Sequence, residues 1–363
     1  MADDEGRRGV GPVAWDVAER VARLALRASA PIGRGALEGV EADVDEASGL
    51  AESLVTEVTG LRSAAGPTRT VVTDRIGWVR ANLTSFDRLL RPLGERLARG
   101  SAKSRRALAP ASRSAAGAEV GLLLAWMSGR VLGQYDMPGE DGTGDVVYYV
   151  APNILELERR HGFEPREFRL WIAIHEVTHR MQFTGVPWLR GHFLGLVERG
   201  IDIGTPDGRV VLDALLRAGS ELRAGRNPLA EGGIVGLLAS SDQLVTLREA
   251  QALMSLLEGH SDVVMGLAGA GGLPGASRFA ETLRHRRESA TGIARVVQQV
   301  VGVDAKLRQY LQGEEFVERV RERGGDELFS RVWSGPHALP TLDEIRDPDR
   351  WVARMSEVAR ARA

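Results

Sequence analysis

Near the middle of the chain, residues 174–180 read Ile174-His175-Glu176-Val177-Thr178-His179-Arg180. Apolar residues around this segment, with Pro165 suited to a first turn, predict a helix from Glu164 to Phe183. Positions i and i+4 lie on one face of a helix, so His175 and His179 can bind a single metal ion. Glu176 can then accept a proton from a water molecule at that ion without binding the ion itself. The alternative is a packed or exposed helix that carries two incidental histidines.

The composition limits which metal such a site would take. The chain contains seven histidines and no cysteine, which excludes disulfide bonds and any thiolate ligand. Two imidazoles beside a carboxylate base are typical of catalytic zinc sites, in which zinc lowers the pKa of a water ligand to about 7. We therefore predict one Zn²⁺ ion per chain, with His175 and His179 as metal ligands and Glu176 as the general base.

A third ligand has to come from elsewhere in the sequence. A metzincin would place glycine and histidine where this chain has Gln182 and Gly185, so that class is excluded. Residues 258–262 read Glu-Gly-His-Ser-Asp, which puts Glu258 and Asp262 on one helix face. We expect Glu258 to bind zinc and Asp262 to accept the second N–H of a ligand histidine. His260 is the rival ligand, although it points about 160–200° away from Glu258 on the same helix.

The rest of the chain predicts a mainly helical α+β protein with a small sheet. One segment, Asp145 to Pro152, has the β-branched and aromatic residues of a strand and ends at a proline. The glycine-rich residues 266–275 predict a loop, and residues 333–340 predict an extended tail. Apolar residues spaced three and four apart predict further helices at residues 15–26, 50–58, 76–91, 120–132, 244–265, 277–323 and 351–360.

These patterns divide the chain into three regions. Residues 107–117 are rich in alanine, serine and proline and mark one boundary, and the glycine run marks a second. We predict a helical N-terminal region at residues 1–117 and a core at residues 118–275 that contains both motif helices. A helical C-terminal region at residues 276–363 is expected to pack on that core.

Four further residues are candidates for contacts with a substrate or with the transition state. Tyr148 and Tyr149 lie on the predicted strand, and an edge strand of this kind can pair with an extended substrate. His192 and His260 could stabilise an oxyanion. Residues of these types at such positions are nevertheless more often packing or structural residues.

Bulk properties indicate which partners to expect. The residues are 43% hydrophobic and 26% charged, and the formal net charge of −2 favours neither nucleic acid nor an anionic membrane. No stretch approaches the roughly 18 uninterrupted apolar residues of a membrane span, and the N-terminal residues are acidic where a secretory signal is basic. We therefore expect a cytoplasmic protein with no nucleic-acid partner and no membrane span.

The chain resembles the zincin-like metallopeptidase type 2 family of actinobacteria and relatives, a largely uncharacterised family that is often labelled as associated with coenzyme F-420 biosynthesis. The resemblance extends over roughly Trp15 to Met355 and rests on residues 131–136, 150–154, 171–183, 258–262, 306–317 and 339–341. It implies a zincin-like core with helical N- and C-terminal additions, and it implies no particular substrate. Glu258 follows His179 by 79 positions, and this spacing between the second histidine and the glutamate ligand is far longer than in the better-known glutamate zincins.

Two functions of different kinds follow from these observations. The first is a zinc-dependent hydrolase, peptidase-like, that acts on a peptide or small amide substrate. The alternative is a non-catalytic zincin-fold protein, a binding or scaffold protein associated with deazaflavin coenzyme metabolism. The presence of Glu176 favours the hydrolase, because a purely structural zinc site needs no base at that position.

Overall fold

The structure is a computed structural model that describes residues 11–28, 33–100, 108–137, 144–201, 241–270, 273–288 and 303–362. Helices dominate these residues and three strands form one small sheet, so the predicted mainly helical α+β class is confirmed. No described helix is both long enough and apolar enough to cross a lipid bilayer. The chain groups into two compact units, unit 1 (Met1–Ser53, Ala65–Arg180) and unit 2 (Leu54–Ala64, Met181–Ala363). The predicted division at residues 117 and 275 stays a prediction.

Unit 1 contains the sheet. Its strands are β1, β2 and β3, in the order β1-β3-β2, with β1 parallel and β2 antiparallel to the central β3. In chain order the elements are α1 (Trp15–Ala25), α2 (Arg34–Thr59), β1 (Arg69–Thr73), α3 (Arg75–Arg99), α4 (Pro110–Ser128), β2 (Gly133–Asp136), β3 (Val146–Val150), α5 (Ala151–His161) and α6 (Pro165–Gly185). Helices α2 and α6 begin in unit 1, and their last residues belong to unit 2.

The core of unit 1 packs helices against the sheet. Ala18 in α1, Trp78 in α3, Leu124 in α4 and Val150 in β3 belong to one buried apolar cluster. Asn153 holds the turn between α4 and β2, because its side-chain amide donates to the carbonyl oxygens of Ser128 (2.7 Å) and Val131 (2.6 Å). These contacts fix where β2 begins.

The described residues of unit 2 form helices and 3-10 turns joined by short loops, and they contain no strand. Its further elements are α7 (Leu189–Ile201), α8 (Ser241–Ala270), α9 (Ala276–Glu288), α10 (Val303–Ser330), the 3-10 turns Arg331–Ser334 and Pro336–Ala338, α11 (Leu342–Arg346) and α12 (Pro348–Arg362). Leu256 of α8, Phe316 and Val320 of α10 and Trp351 of α12 share a buried cluster. Burial of these large side chains holds the long α8 and α10 together.

Three predicted segments differ most from the structure, and residues 289–302 of the helix predicted at 277–323 lie outside the described residues. Helix α8 continues to Ala270 through residues expected to form a loop, since Ala268 is buried and Gly269 packs closely on Ala276. Residues 333–340 form 3-10 turns rather than an extended tail, and tryptophan side chains bind their carbonyl oxygens: Trp188 Nε1 donates to Trp333 and Trp351 Nε1 to Ala338, each at 2.8 Å. Helix α4 begins at Pro110, inside the expected boundary stretch, and ends at Ser128 rather than at residue 132.

Helices α8 and α10 cross at two glycines. A Cβ atom on Gly259 would collide with the backbone of Gly313, and one on Gly313 would collide with the carbonyl oxygen of Ser255. Both obstacles are backbone atoms of packed helices, which cannot rotate aside as a side chain can. Glycine at both positions is therefore a condition for this crossing.

We expect Gly313→Ala to lower the free energy of unfolding by about 1–3 kcal/mol, the usual cost of overpacking. Gly266→Ala is the matched control, because Gly266 is an exposed residue of α8 with nothing within 4 Å of its Cβ position. The control is expected to be neutral or stabilising by about 0.5–1 kcal/mol. Thermal or urea denaturation measures both changes, and wild-type stability of Gly313→Ala would contradict the close crossing.

Candidate metal centre

Helix α6 presents its two histidines from a buried surface. From Trp171 to Gln182, His175 and His179 are the positions that are not fully buried. Apolar neighbours such as Ile174 and Val177 pack into the protein, and the Thr178 hydroxyl donates to the Ile174 carbonyl oxygen at 2.6 Å. The spacing of four residues therefore places both imidazoles on the accessible side of a fixed helix.

The two imidazoles are close enough to share one ion. Their Nε2 atoms are 3.2 Å apart, and the ring planes are nearly perpendicular at 87°. Two nitrogens that each lie about 2.0–2.1 Å from a tetrahedral zinc ion are about 3.3 Å apart, so this separation suits zinc. Both histidines belong to unit 1, and Glu258 stays the predicted third ligand.

Strand β2 holds the carboxylate of Glu176. The Tyr135 backbone N–H donates to Glu176 Oε2 at 3.0 Å, and the Glu176 side chain is buried. Gly133 lies against the same carboxylate, because a Cβ there would be 2.6 Å from Glu176 Cγ and 2.8 Å from Oε1. Neither residue was predicted as a site residue. Strand β2 was not predicted at all, since glycine and aspartate at its two ends are poor strand formers.

Arg180 anchors the motif helix within unit 1. Its fully buried guanidinium binds Asp145 through two hydrogen bonds (2.9 and 3.0 Å), Glu52 Oε1 at 2.9 Å and the Gly66 carbonyl oxygen at 2.8 Å. The Tyr135 hydroxyl donates to the same Asp145 carboxylate at 3.2 Å. Burial raises the pKa of the Tyr135 phenol and the Asp145 carboxylate raises it further, so the phenol keeps the proton that it donates. The sequence does carry a signal for this anchor: Arg180 is a charged residue directly after the motif in an otherwise apolar helix.

Helix α8 carries Glu258 and its neighbours. Glu258 and Asp262 are both partly exposed, as two residues on the same accessible face should be. His260 is buried, stacks on Phe329 with ring centroids 5.2 Å apart, and meets Trp333 edge-on. The Gln182 side-chain amide donates to His260 Nδ1 at 2.9 Å and to the Leu257 carbonyl oxygen at 3.0 Å. Nδ1 of His260 is therefore engaged as an acceptor inside unit 2.

The other candidate contact residues have different surroundings. Tyr149 is fully buried and its hydroxyl bonds to Ser48 Oγ at 2.8 Å, so it is out of reach of a substrate in this structure. Tyr148 is partly exposed, and burial together with the Asp136 carboxylate raises its pKa. Both tyrosines lie on the central strand β3, so the expectation of an edge strand there was wrong: β1 and β2 pair with its two sides.

His192 lies in α7, partly exposed, with its ring 5.8 Å from that of Trp188. Burial lowers the pKa of this imidazole, and the nearby Arg199 lowers it further. It is therefore neutral near pH 7, a form that can both donate and accept a hydrogen bond. Contacts of Tyr148 or His192 with a substrate stay predictions.

Comparisons with known proteins agree with this geometry. The comparison with curated proteins finds no match. The crystal structure of a protein from Chloroflexus aurantiacus, described as a candidate hydrolase with a novel fold, is 30% identical and superposes with a TM-score of 0.69. The match covers 95% of this chain and 99% of that one. The sequence profile of the zincin-like metallopeptidases matches residues 13–352, nearly the whole chain. The chain therefore belongs to the zincin-like metallopeptidase family.

Proposed function

We propose that this chain is a zinc-dependent hydrolase that cleaves a peptide or a small amide. His175, His179 and Glu258 are the proposed ligands of one zinc ion per chain, and Glu176 is the proposed general base. The observation that carries the proposal is the pair of Nε2 atoms 3.2 Å apart beside a carboxylate held by a backbone N–H. When bound, zinc would polarise the scissile carbonyl and make a water molecule more acidic.

The residues of the chain have separate tasks in this scheme. Glu176 accepts a proton from the attacking water and passes it to the leaving amine, which needs a carboxylate within hydrogen-bond reach of both. The buried Arg180 network keeps the helix that carries both histidines in place. Asp262 is proposed to orient a ligand histidine by accepting its second N–H.

A non-catalytic zincin-fold protein is the alternative. A site that only held metal would not need a carboxylate directly beside the first histidine, nor a strand that binds this carboxylate. This arrangement supports the hydrolase. The association with coenzyme F-420 and the actinobacterial origin stay predictions from the resemblance.

Protein purified without added metal is expected to contain close to one zinc per chain, and His175→Ala or His179→Ala to lose it. The reason is that each histidine supplies one of only three protein ligands. Elemental analysis measures the content, with His337→Ala as the control, because His337 lies in a 3-10 turn outside the proposed ligand group. A wild-type chain that holds no metal and takes up no added zinc would remove the basis of the hydrolase.

Catalysis is tested separately from metal content. A library of peptides of mixed sequence and of small amides, incubated with the zinc-loaded protein and read by mass spectrometry, is expected to yield cleavage products. Addition of 1,10-phenanthroline is expected to stop their formation, because the chelator removes zinc. Zinc-loaded protein that cleaves no peptide and no amide in such a library would favour the non-catalytic alternative.

A further inference from the structure

We propose that Tyr135 is a positioning residue for the general base, and that it acts through two groups at once. Its backbone N–H holds the carboxylate of Glu176, and its phenol ties β2 to the buried pair of Asp145 and Arg180. Gly133, two residues earlier, leaves the space that the carboxylate occupies. This role rests on the proposed function, because it assigns to β2 the placement of the base of that same site.

The N–H contact comes from the geometry of an edge strand. Strand β2 pairs on one side with β3, and the register places Gln134 opposite Tyr148 and Tyr135 opposite Val147. Alternate residues of an edge strand direct their N–H groups away from the sheet, where they bind whatever lies beyond the edge. Tyr135 directs its N–H to Glu176 Oε2 at 3.0 Å. A hydrogen bond to a charged carboxylate is roughly twice as strong as one between neutral groups.

Gly133 limits the positions that the carboxylate can take. A Cβ on this residue would be 2.6 Å from Glu176 Cγ, 2.8 Å from Oε1 and 2.9 Å from Cδ, closer than real Cβ contacts. The carboxylate therefore packs against bare backbone. A methyl group at position 133 would collide first with the Glu176 side chain and would displace its carboxylate from the Tyr135 N–H.

The phenol of Tyr135 links this contact to the anchor of the motif helix. Its hydroxyl donates to Asp145 Oδ1, and the same carboxylate accepts two hydrogen bonds from the buried Arg180. Arg180 follows His179 directly in α6. The chain of contacts thus begins and ends on one helix, so the strand and the base keep a fixed distance.

The test uses acetohydroxamic acid as a probe of where the base lies. This acid binds a divalent metal through its two oxygens, and a carboxylate close by strengthens binding when it takes up the hydroxyl proton that the acid releases. In the cobalt-loaded protein the visible absorption bands report both metal and probe. We expect Gly133→Ala to keep its metal and to weaken probe binding about tenfold or more, as loss of a hydrogen bond to a charged group does.

A double-mutant cycle separates positioning from a structural effect. If Gly133 acts through the base, Gly133→Ala should weaken probe binding in wild-type background but not in a Glu176→Ala background. Gly49→Ala is the matched control, because Gly49 is an exposed residue of helix α2 with nothing within 4 Å of its Cβ position. The control is expected to bind metal and probe like the wild type.

A second variant covers the case in which Gly133→Ala does not fold. Replacing Tyr135 by the α-hydroxy acid of tyrosine exchanges the backbone N–H for an ester oxygen and keeps the phenol, and it is expected to weaken probe binding similarly. Tyr135→Phe, which removes only the bond to Asp145, is expected to have a smaller effect in the same direction.

The outcomes distinguish the two proposals. A wild-type chain that takes up neither zinc nor cobalt contradicts the proposed function itself. If the wild type binds metal and probe, but the hydroxy-acid variant binds the probe equally well, the positioning role is wrong and the proposed function stands. The positioning role is also wrong if Gly133→Ala weakens probe binding equally with and without the Glu176 carboxylate.

Discussion

Glu176→Gln is expected to keep its zinc and to lower peptide or amide hydrolysis by at least about 100-fold, the usual contribution of a general base. Glutamine has nearly the same shape, and its side-chain oxygen can still accept the Tyr135 N–H that Glu176 Oε2 accepts at 3.0 Å. The side chain therefore stays in place. Its amide nitrogen cannot accept the proton of an attacking water, so the loss is confined to proton transfer.

The measurement combines zinc content with turnover of a peptide found in the library experiment. Glu249→Gln is the control: Glu249 is a half-exposed residue of α8 that pairs with Arg199, and its neutralisation is expected to change neither quantity. Retained turnover in Glu176→Gln would assign the base to another residue. Loss of zinc together with turnover would instead make Glu176 a determinant of metal binding.

Those parts of the fold that depend on local pattern could be predicted from the sequence. The apolar spacing of α6 and the strand propensity of β3 both come from neighbouring residues, and each element lies within a few residues of its predicted bounds. The pair His175 and His179 is equally local, because one helical turn separates them. The two histidines could be predicted as metal ligands because they lie one turn apart on the same helix.

Long-range contacts could not be predicted in the same way. Strand β2 has weak strand propensity and exists because it pairs with β3 and because Asn153 fixes the turn before it. The burial of Arg180 depends on acceptors 35 and 128 residues away along the chain. Neither a periodicity nor a motif indicates such partners, so the groups that hold the base became visible only in three dimensions.

Glycine 259 illustrates the same limit within a motif. The sequence marks Glu258, His260 and Asp262 by their chemistry, whereas the glycine between them has no side chain to interpret. Glycine is needed at position 259 because α8 crosses α10 there, and a Cβ atom on Gly259 would collide with the backbone of Gly313. The position of the helix segment that carries Glu258 thus depends on the contact of α8 with α10.

The final prediction concerns the third metal ligand. As a ligand, Glu258 supplies one of three protein contacts, and its negative charge offsets part of the charge of the dication. Glu258→Ala is therefore expected to weaken zinc binding by more than about 100-fold. Loss of a residue that only hydrogen-bonds to a metal ligand costs less, roughly 10–100-fold. Asp262→Asn is expected to fall within that smaller range, because it would change only the orientation of a ligand histidine. Glu249→Ala, on the same helix α8, serves as the control.

The alternative is that His260 is the third metal ligand, and the surroundings of His260 decide which substitution can test this. The imidazole stacks on Phe329, and its Nδ1 accepts from Gln182 at 2.9 Å, so truncation to alanine would open a buried gap and leave one of the two N–H bonds of that amide without its acceptor. His260→Asn keeps an oxygen near Nδ1 for that amide and is expected to lower the melting temperature while sparing the zinc. Competition with a chelator measures zinc affinity for each folded variant. If Glu258→Ala bound zinc like the wild type while His260→Asn did not, His260 would be the ligand and the assignment of Glu258 would be wrong.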